Sequence, residues 1–187
     1  MLTADQLLDA LLERARALTD SETVALSAAL GRVLAAPQTS AITVPPADNS
    51  AMDGYAVRLA DVAQPGTRLP VTQRILAGRV GEALAPGTAA RIFAGAPVPS
   101  GADAVLMQED CAADEAGVTI HKVPRPGENI RRAGEDIVAG ARILGAGTRL
   151  GAAEMGLAAS VGLARLPVYR KLKVACFFTG DELVAPG

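Results

Sequence analysis

Val44-Pro-Pro-Ala-Asp-Asn-Ser-Ala-Met-Asp-Gly-Tyr-Ala-Val-Arg58 is the stretch on which the reading of this chain turns. Two acids, an amide and a hydroxyl stand within a few residues. Pro45-Pro46 fixes the approach of the chain on one side. On the other, Tyr55 onward reads as a strand. Asp48, Asn49 and Ser50 favour turns because their side chains bond nearby backbone groups, and Asp53-Gly54 is a second turn signal. The pair Asp48 and Asp53, five residues apart, suits a shared hard cation such as Mg²⁺. One of the two would alternatively serve as a base toward water. The plainer reading is capping and turn formation alone, and for the isolated stretch it is the stronger one.

Outward from this run the pattern is short and β-like. Runs at Tyr55–Leu59, Leu69–Ile75, Ala89–Phe93, Ala104–Gln108 and Gly117–Val123 alternate with Gly/Pro breaks, predicting an all-β region with long connections. Before it, Leu7, Leu8, Leu11, Leu12, Ala15 and Leu18 fall on one face of a predicted helix over Thr3–Leu18. Thr3 and Gln6 are suited to a capping box at its start. A second helical piece is expected over Ser27–Ala36, broken by Gly31 and ended by Pro37. A third is expected over Ala152–Ser160, with Gly162 as its C-cap.

Leu172-Lys-Val-Ala-Cys-Phe-Phe178 reads as a strand apolar on both faces, the kind found in parallel sheets covered by helices. Only nine residues follow it. We therefore expect the chain to be the N-terminal part of a longer protein, ending just inside an α/β domain. The apolar residues of 172–178 should then be disordered, cover another apolar surface or pair with a second chain.

Composition limits the function classes. The chain has 187 residues and half of them are hydrophobic, enough for a core without staples. Trp is absent and aromatics are 3%, so that core must be Ala, Val, Leu and Ile. With 18 basic against 20 acidic residues, net charge −2, no basic field points to nucleic acid. Cys111 and Cys176 form neither a zinc spacing nor a disulfide framework, and fit reduced thiols in a cytoplasmic protein. There is no signal-peptide pattern and no apolar run of membrane-spanning length. The single histidine, His121, is expected to face solvent beside Lys122. Without a G-x-S-x-G elbow it makes no hydrolase, and neither a P-loop nor a G-x-G-x-x-G is present.

Three further segments carry polar groups. Arg91-Ile-Phe-Ala-Gly-Ala-Pro-Val-Pro-Ser-Gly-Ala-Asp-Ala-Val-Leu-Met-Gln-Glu109 reads as strand, Gly/Pro loop, strand. Its loop is either a close backbone approach to a ligand or an ordinary connection. In Arg125-Pro-Gly-Glu-Asn-Ile-Arg-Arg-Ala-Gly-Glu-Asp136, Arg131 and Arg132 suit bidentate binding of an oxyanion. Glu135 and Asp136 would balance them or bind metal. A surface ion-pair network explains the same residues equally well. Thr179-Gly-Asp-Glu-Leu183 follows the apolar strand, where open α/β sheets bind ligands. It reads equally as a helix N-cap.

Taken together, Asp48-Asn-Ser-Ala-Met-Asp-Gly-Tyr-Ala56, Gly95-Ala-Pro-Val-Pro-Ser-Gly-Ala-Asp103, Gly127-Glu-Asn-Ile-Arg-Arg132, Gly134-Glu-Asp136 and Thr179-Gly-Asp-Glu-Leu183 resemble, in order and spacing, the N-terminal part of the MoeA-type molybdopterin molybdenumtransferases. That family includes the E domain of gephyrin. The resemblance covers nearly the whole chain.

It implies a mixed α and β fold: an N-terminal helix over 1–20, a discontinuous linker/dimerisation domain over 21–39 and 141–171, and an irregular β domain over 40–140. Residues 172–187 would be the first strand and loop of a truncated α/β molybdopterin-binding domain. It implies insertion of molybdate into adenylylated molybdopterin with release of AMP, dependent on Mg²⁺. The protein would be a cytoplasmic homodimer whose cleft lies between the β domain of one subunit and the α/β domain of the other. Asp53, Asp136 and Glu182 become the catalytic acids, with Asp53 and Glu182 as metal ligands. Asp48, Ser50, Arg131, Arg132 and Thr179 become substrate or anion contacts. Ala94 departs from the Thr of many relatives and removes a hydroxyl from the site. The competing expectation is a non-catalytic dimerising scaffold of the same fold.

Overall fold

In the computed structural model, which describes residues 3–17, 19–178, 180–184 and 187, Thr3 caps helix α1 (Ala4–Arg14). The Thr3 hydroxyl accepts from the Gln6 N–H at 3.2 Å and the Gln6 side chain accepts from the Thr3 N–H at 3.0 Å. This is the capping box read from the sequence. The helix stops at Arg14, short of the predicted end. None of its residues is buried, so the last turn of the leucine stripe gains no packing to hold it.

The chain folds as two compact units, Met1–Thr39 with Arg142–Gly187, and Ser40–Ala141. After α1 come β1 (Ser21–Ala25) and β2 (Gln38–Thr39). The second unit supplies β3 (Asn49–Ser50), β4 (Gly54–Val57), β5 (Thr67–Leu69), β6 (Val71–Ile75), β7 (Ala89–Ile92), β8 (Ala104–Met107), β9 (Cys111–Asp114), β10 (Gly117–Ile120) and β11 (Ile130–Arg131). The first unit is completed by β12 (Arg142–Leu144), α2 (Ala152–Ser160) and β13 (Arg165–Tyr169). The fold is therefore mixed α and β, with one helix/strand unit and one irregular β-rich unit.

In the first unit β1 pairs antiparallel with β13, and β2 with β12. Leu34, Leu150, Leu166, Val168 and Ala158 form its core. Helix α2 ends in a Schellman motif: the Gly162 N–H donates to the Ala159 carbonyl and the Leu163 N–H to the Ala158 carbonyl, with Gly162 at φ +80°.

Two predicted elements of this unit are corrected. Ser27–Ala36 is not helical beyond a single 3₁₀ turn at Leu26–Ala28. The Gly31 and Leu34 N–H groups donate across the chain to the carbonyls of Leu150 and Thr148, and these long-range bonds displace the helical ones. The expected strand at 172–178 does not form. A strand needs a neighbour to take its hydrogen bonds, and none of the described residues supplies one. Leu172, Val174, Phe177 and Phe178 are 71–85% exposed.

The second unit is built on a four-stranded sheet in the order β6-β7-β4-β8 and a three-stranded sheet in the order β5-β10-β9. Strand β4 is buried along its whole length. Alternation sends Tyr55 and Val57 to one face, where they pack with Leu69, Leu106, Val118 and Ile120. Ala56, Ile92 and Val105 point to the other face, against Val98, Ala102 and Ile130. The second face thus carries the polar loops. The predicted run Leu69–Ile75 is two strands in two sheets, because Pro70 has no N–H to continue a ladder.

Candidate functional site: a ledge of three loops

Three segments distant in sequence are laced together by their backbones. The Ser50 N–H donates to the Ala96 carbonyl at 2.9 Å, the Gly95 N–H to the Ser50 carbonyl at 2.8 Å, and the Val98 N–H to the Asp48 carbonyl at 2.9 Å. On the other side β3 pairs with β11, with Ser50 opposite Ile130 and Asn49 opposite Arg131. The Gly127 N–H reaches the Asp103 carbonyl at 2.8 Å and the Val105 N–H the Glu128 carbonyl at 2.9 Å. Residues 48–53, 95–103 and 127–136 therefore form one ledge on the four-stranded sheet.

Asn129 stands at φ +53°, a left-handed conformation that Asn tolerates well among non-glycine residues. Its side-chain amide donates to the Val105 carbonyl. Asn49 carries a cost: its Oδ1 is buried without a hydrogen-bond partner, worth about 1–3 kcal/mol.

The charged groups of the ledge answer one another. Asp48 accepts from the Ala133 N–H at 2.8 Å and from Arg132 Nη1 at 2.5 Å. Those two contacts, the backbone one first, hold its carboxyl below the ordinary value. Both Asp136 oxygens accept from Arg131 Nη2 at 2.6 Å, and Glu135 takes the Arg131 Nε–H and the Arg132 backbone N–H. The side chains of these pairs are 39–60% exposed. Exposed pairs contribute about 0–1 kcal/mol, so an incoming oxyanion can exchange with them.

Asp53 lies apart from these pairs. It is exposed and lines an open pocket of about 310 Å³ with Met52, Ala94, Met107, Gln108 and Glu109. Its Oδ1 accepts from the Ala94 N–H at 2.9 Å, while Oδ2 takes no hydrogen bond among the described residues. Position 94 thus touches Asp53 through its main chain, which alanine supplies as well as threonine would.

The remaining expected site residues are Ser50, Glu182 and Thr179. Ser50 is 1% exposed, and its hydroxyl donates to the Met52 carbonyl and accepts from the Met52 N–H. It frames the loop, its hydroxyl engaged with the Met52 main chain. Glu182 is exposed in the first unit, next to the turn closed by the Leu183 N–H on the Gly180 carbonyl. Thr179 lies outside the described residues.

Among the described residues no group of three or more His, Cys, Asp or Glu side chains is gathered to hold a metal ion. The donor set still fits Mg²⁺, which commonly takes one or two carboxylates and completes its shell with water and substrate phosphates. Asp53, whose Oδ2 takes no hydrogen bond among the described residues, is the ledge residue that could supply such a carboxylate. Sequence reasoning missed Gln108, Glu109 and Arg91 around Asp53. Gln108 and Glu109 open a 3₁₀ turn after β8 and Arg91 lies within β7; none has a local signature, and only the sheet register brings them near Asp53.

The chain matches the family model described as the MoeA N-terminal region (domain I and II) over residues 2–162. It is 44% identical over 189 residues to a molybdopterin molybdenumtransferase of Haemophilus influenzae, covering 100% of this chain and 46% of that protein. It is 45% identical over 170 residues to one of Nostoc, covering 88% of this chain and 39% of that protein. A crystal structure of the molybdopterin biosynthesis moeA protein from Pyrococcus horikoshii superposes with a TM-score of 0.81 at 34% identity, over 87% of this chain and 44% of that one. The chain spans less than half the length of these relatives.

Proposed function

This chain belongs to the MoeA family, whose N-terminal region it matches, and on that premise we propose that the whole protein inserts molybdate into adenylylated molybdopterin with release of AMP, as a step of molybdenum cofactor biosynthesis. The observation that carries the reading is the ledge. Three motifs scattered over 89 positions, 48 to 136, are laced into one surface presenting two guanidinium groups and a carboxylate with one oxygen held by a backbone N–H.

The chemistry agrees with the substrates. Molybdate is a dianion and the adenylylated cofactor a polyanion. Arg131 and Arg132 neutralise them, releasing Asp136 and Asp48 from weak exposed pairs in exchange for charge-assisted bonds. Asp136 and Asp48 are then counter-ions that preset the guanidinium positions rather than acids at the reacting atom. Asp53 is the residue that would hold Mg²⁺, which supplies charge neutralisation and polarises the phosphoryl group. Glu182 remains a metal ligand on sequence grounds.

The same reading carries a homodimer in the cytoplasm. Its supports are the free Cys111 and Cys176, which fit a reducing compartment, and the exposed leucines of α1, which fit burial against another chain. No helix among the described residues is long and apolar enough to cross a membrane.

Incubating the whole protein with adenylylated molybdopterin and molybdate should yield molybdenum cofactor and AMP in equal amounts. Failure of both to appear would contradict the proposal.

A further inference from the structure

We propose that Arg91 is a positioning residue for Asp53. The inference rests on the reading of Asp53 given above, and extends it to a side chain that touches no proposed substrate or metal position.

Arg91 stands on β7 opposite Tyr55 of β4. Its Nη1 donates to the Gly54 carbonyl at 3.0 Å, and its Nη2 to Gln108 Oε1 at 2.6 Å. Gly54 follows Asp53 directly. Gln108 lines the Asp53 pocket, and its backbone N–H donates to the Asp53 carbonyl at 3.1 Å. One guanidinium therefore ties together the residue after Asp53 and the residue bonded to its main chain. The third restraint on Asp53 is the Ala94 N–H on Oδ1, three residues beyond Arg91 on the same segment.

The guanidinium is itself held flat. Its carbon lies 5.1 Å from the Tyr55 ring centroid and 4.6 Å from that of Phe93, within the range of cation–π attraction. A planar fork held by two rings bridges two acceptors at fixed separation. A lysine ammonium, a point charge on a flexible stem, does not. Loss of the bridge would leave the Gly54 carbonyl without this donor and free the Gln108 side chain to enter the pocket. A displacement of the order of 1 Å at a reacting group can cost about a hundredfold in rate.

The test compares wild type with Arg91→Lys, which keeps the charge and the stem. In the whole protein, kcat for molybdate insertion should fall by about tenfold to a hundredfold, with the melting temperature within a few degrees of wild type and KM little changed. In the 187-residue chain, the Ala94 amide should exchange with solvent faster, while the Ile92 and Val105 amides of the same sheet keep their protection. Arg91→Met, which keeps only the stem, should show the same pattern more strongly.

Unchanged kcat and unchanged Ala94 exchange in Arg91→Lys would overturn the assignment. So would a fall in kcat with Ala94 exchange unmoved, which would mean a direct role, or a loss of protection spread across the sheet, which would mean a purely structural one. Faster Ala94 exchange together with no insertion by the wild-type whole protein would uphold the positioning and overturn the function proposed for the site.

Discussion

Three aspartates of the β-rich unit have three different situations, and each behaves by its nearest neighbour. Asp48 is fixed by a backbone N–H and a guanidinium, Asp136 by a guanidinium alone, and Asp53 by one backbone N–H, with its second oxygen open. This separation was hidden in the sequence, where all three are acids beside turn residues. Asp48 gives the simplest test. Its carboxyl titrates below the ordinary 3.8 in the folded state, held first by the Ala133 N–H and then by Arg132. A depressed folded value means that its contribution is complete above 3.8 and disappears as pH falls through the lowered value. Asp48→Asn should therefore cost at most about 1 kcal/mol at pH 7, because the pair is exposed. The difference from wild type in urea unfolding should shrink once the pH drops below 3.8. A difference that grows with acid would be the wrong sign for this account.

Single elements carry the placement of the site, and β4 most of all. It runs between β7 and β8, and at Gly54 the strands approach so closely that a Cβ would lie inside the Leu106 carbonyl. Gly54→Ala should destabilise the protein by about 1–3 kcal/mol through overpacking, read as a lower urea midpoint. An unchanged midpoint would show that the sheet can spread at no cost. Tyr55–Leu59, Ala89–Phe93, Ala104–Gln108 and Gly117–Val123 were legible as strands, within one to three residues at their ends, because apolar runs between Gly/Pro breaks are local signals. Strands β3 and β11, two residues each, were not legible. They exist only because the 48–53 and 127–136 segments meet, which is a property of the tertiary fold. Strand β13 was masked by Pro167 in its middle. Within a two-stranded sheet every other N–H of β13 lies outside the ladder, where proline is tolerated.

At the scale of the molecule, the ordered set of motifs was the strongest sequence signal, and the ledge is its physical counterpart. The order survives because each segment supplies backbone partners to the next, so none of the three can be placed without the others. The ion-pair network read for Arg131, Arg132, Glu135 and Asp136 is present; what the sequence did not disclose is that Asp48 joins it through Arg132, or that Gln108 lines the Asp53 pocket and is bonded by Arg91. The 187-residue chain carries the ledge but spans less than half the length of its relatives. We expect it alone to form no molybdenum cofactor from adenylylated molybdopterin and molybdate, and turnover by the isolated chain would show that the ledge suffices. On the function proposed above, Asp53 stands at the reacting centre of molybdate insertion. The most direct test of that placement is the insertion rate of the whole protein carrying Asp53→Ala, with thermal melting measured alongside. The account predicts a fall of about a hundredfold or more, the scale on which loss of one positioned charge group at a reaction centre is felt, with the melting temperature unchanged within a few degrees. Insertion at the wild-type rate would contradict it.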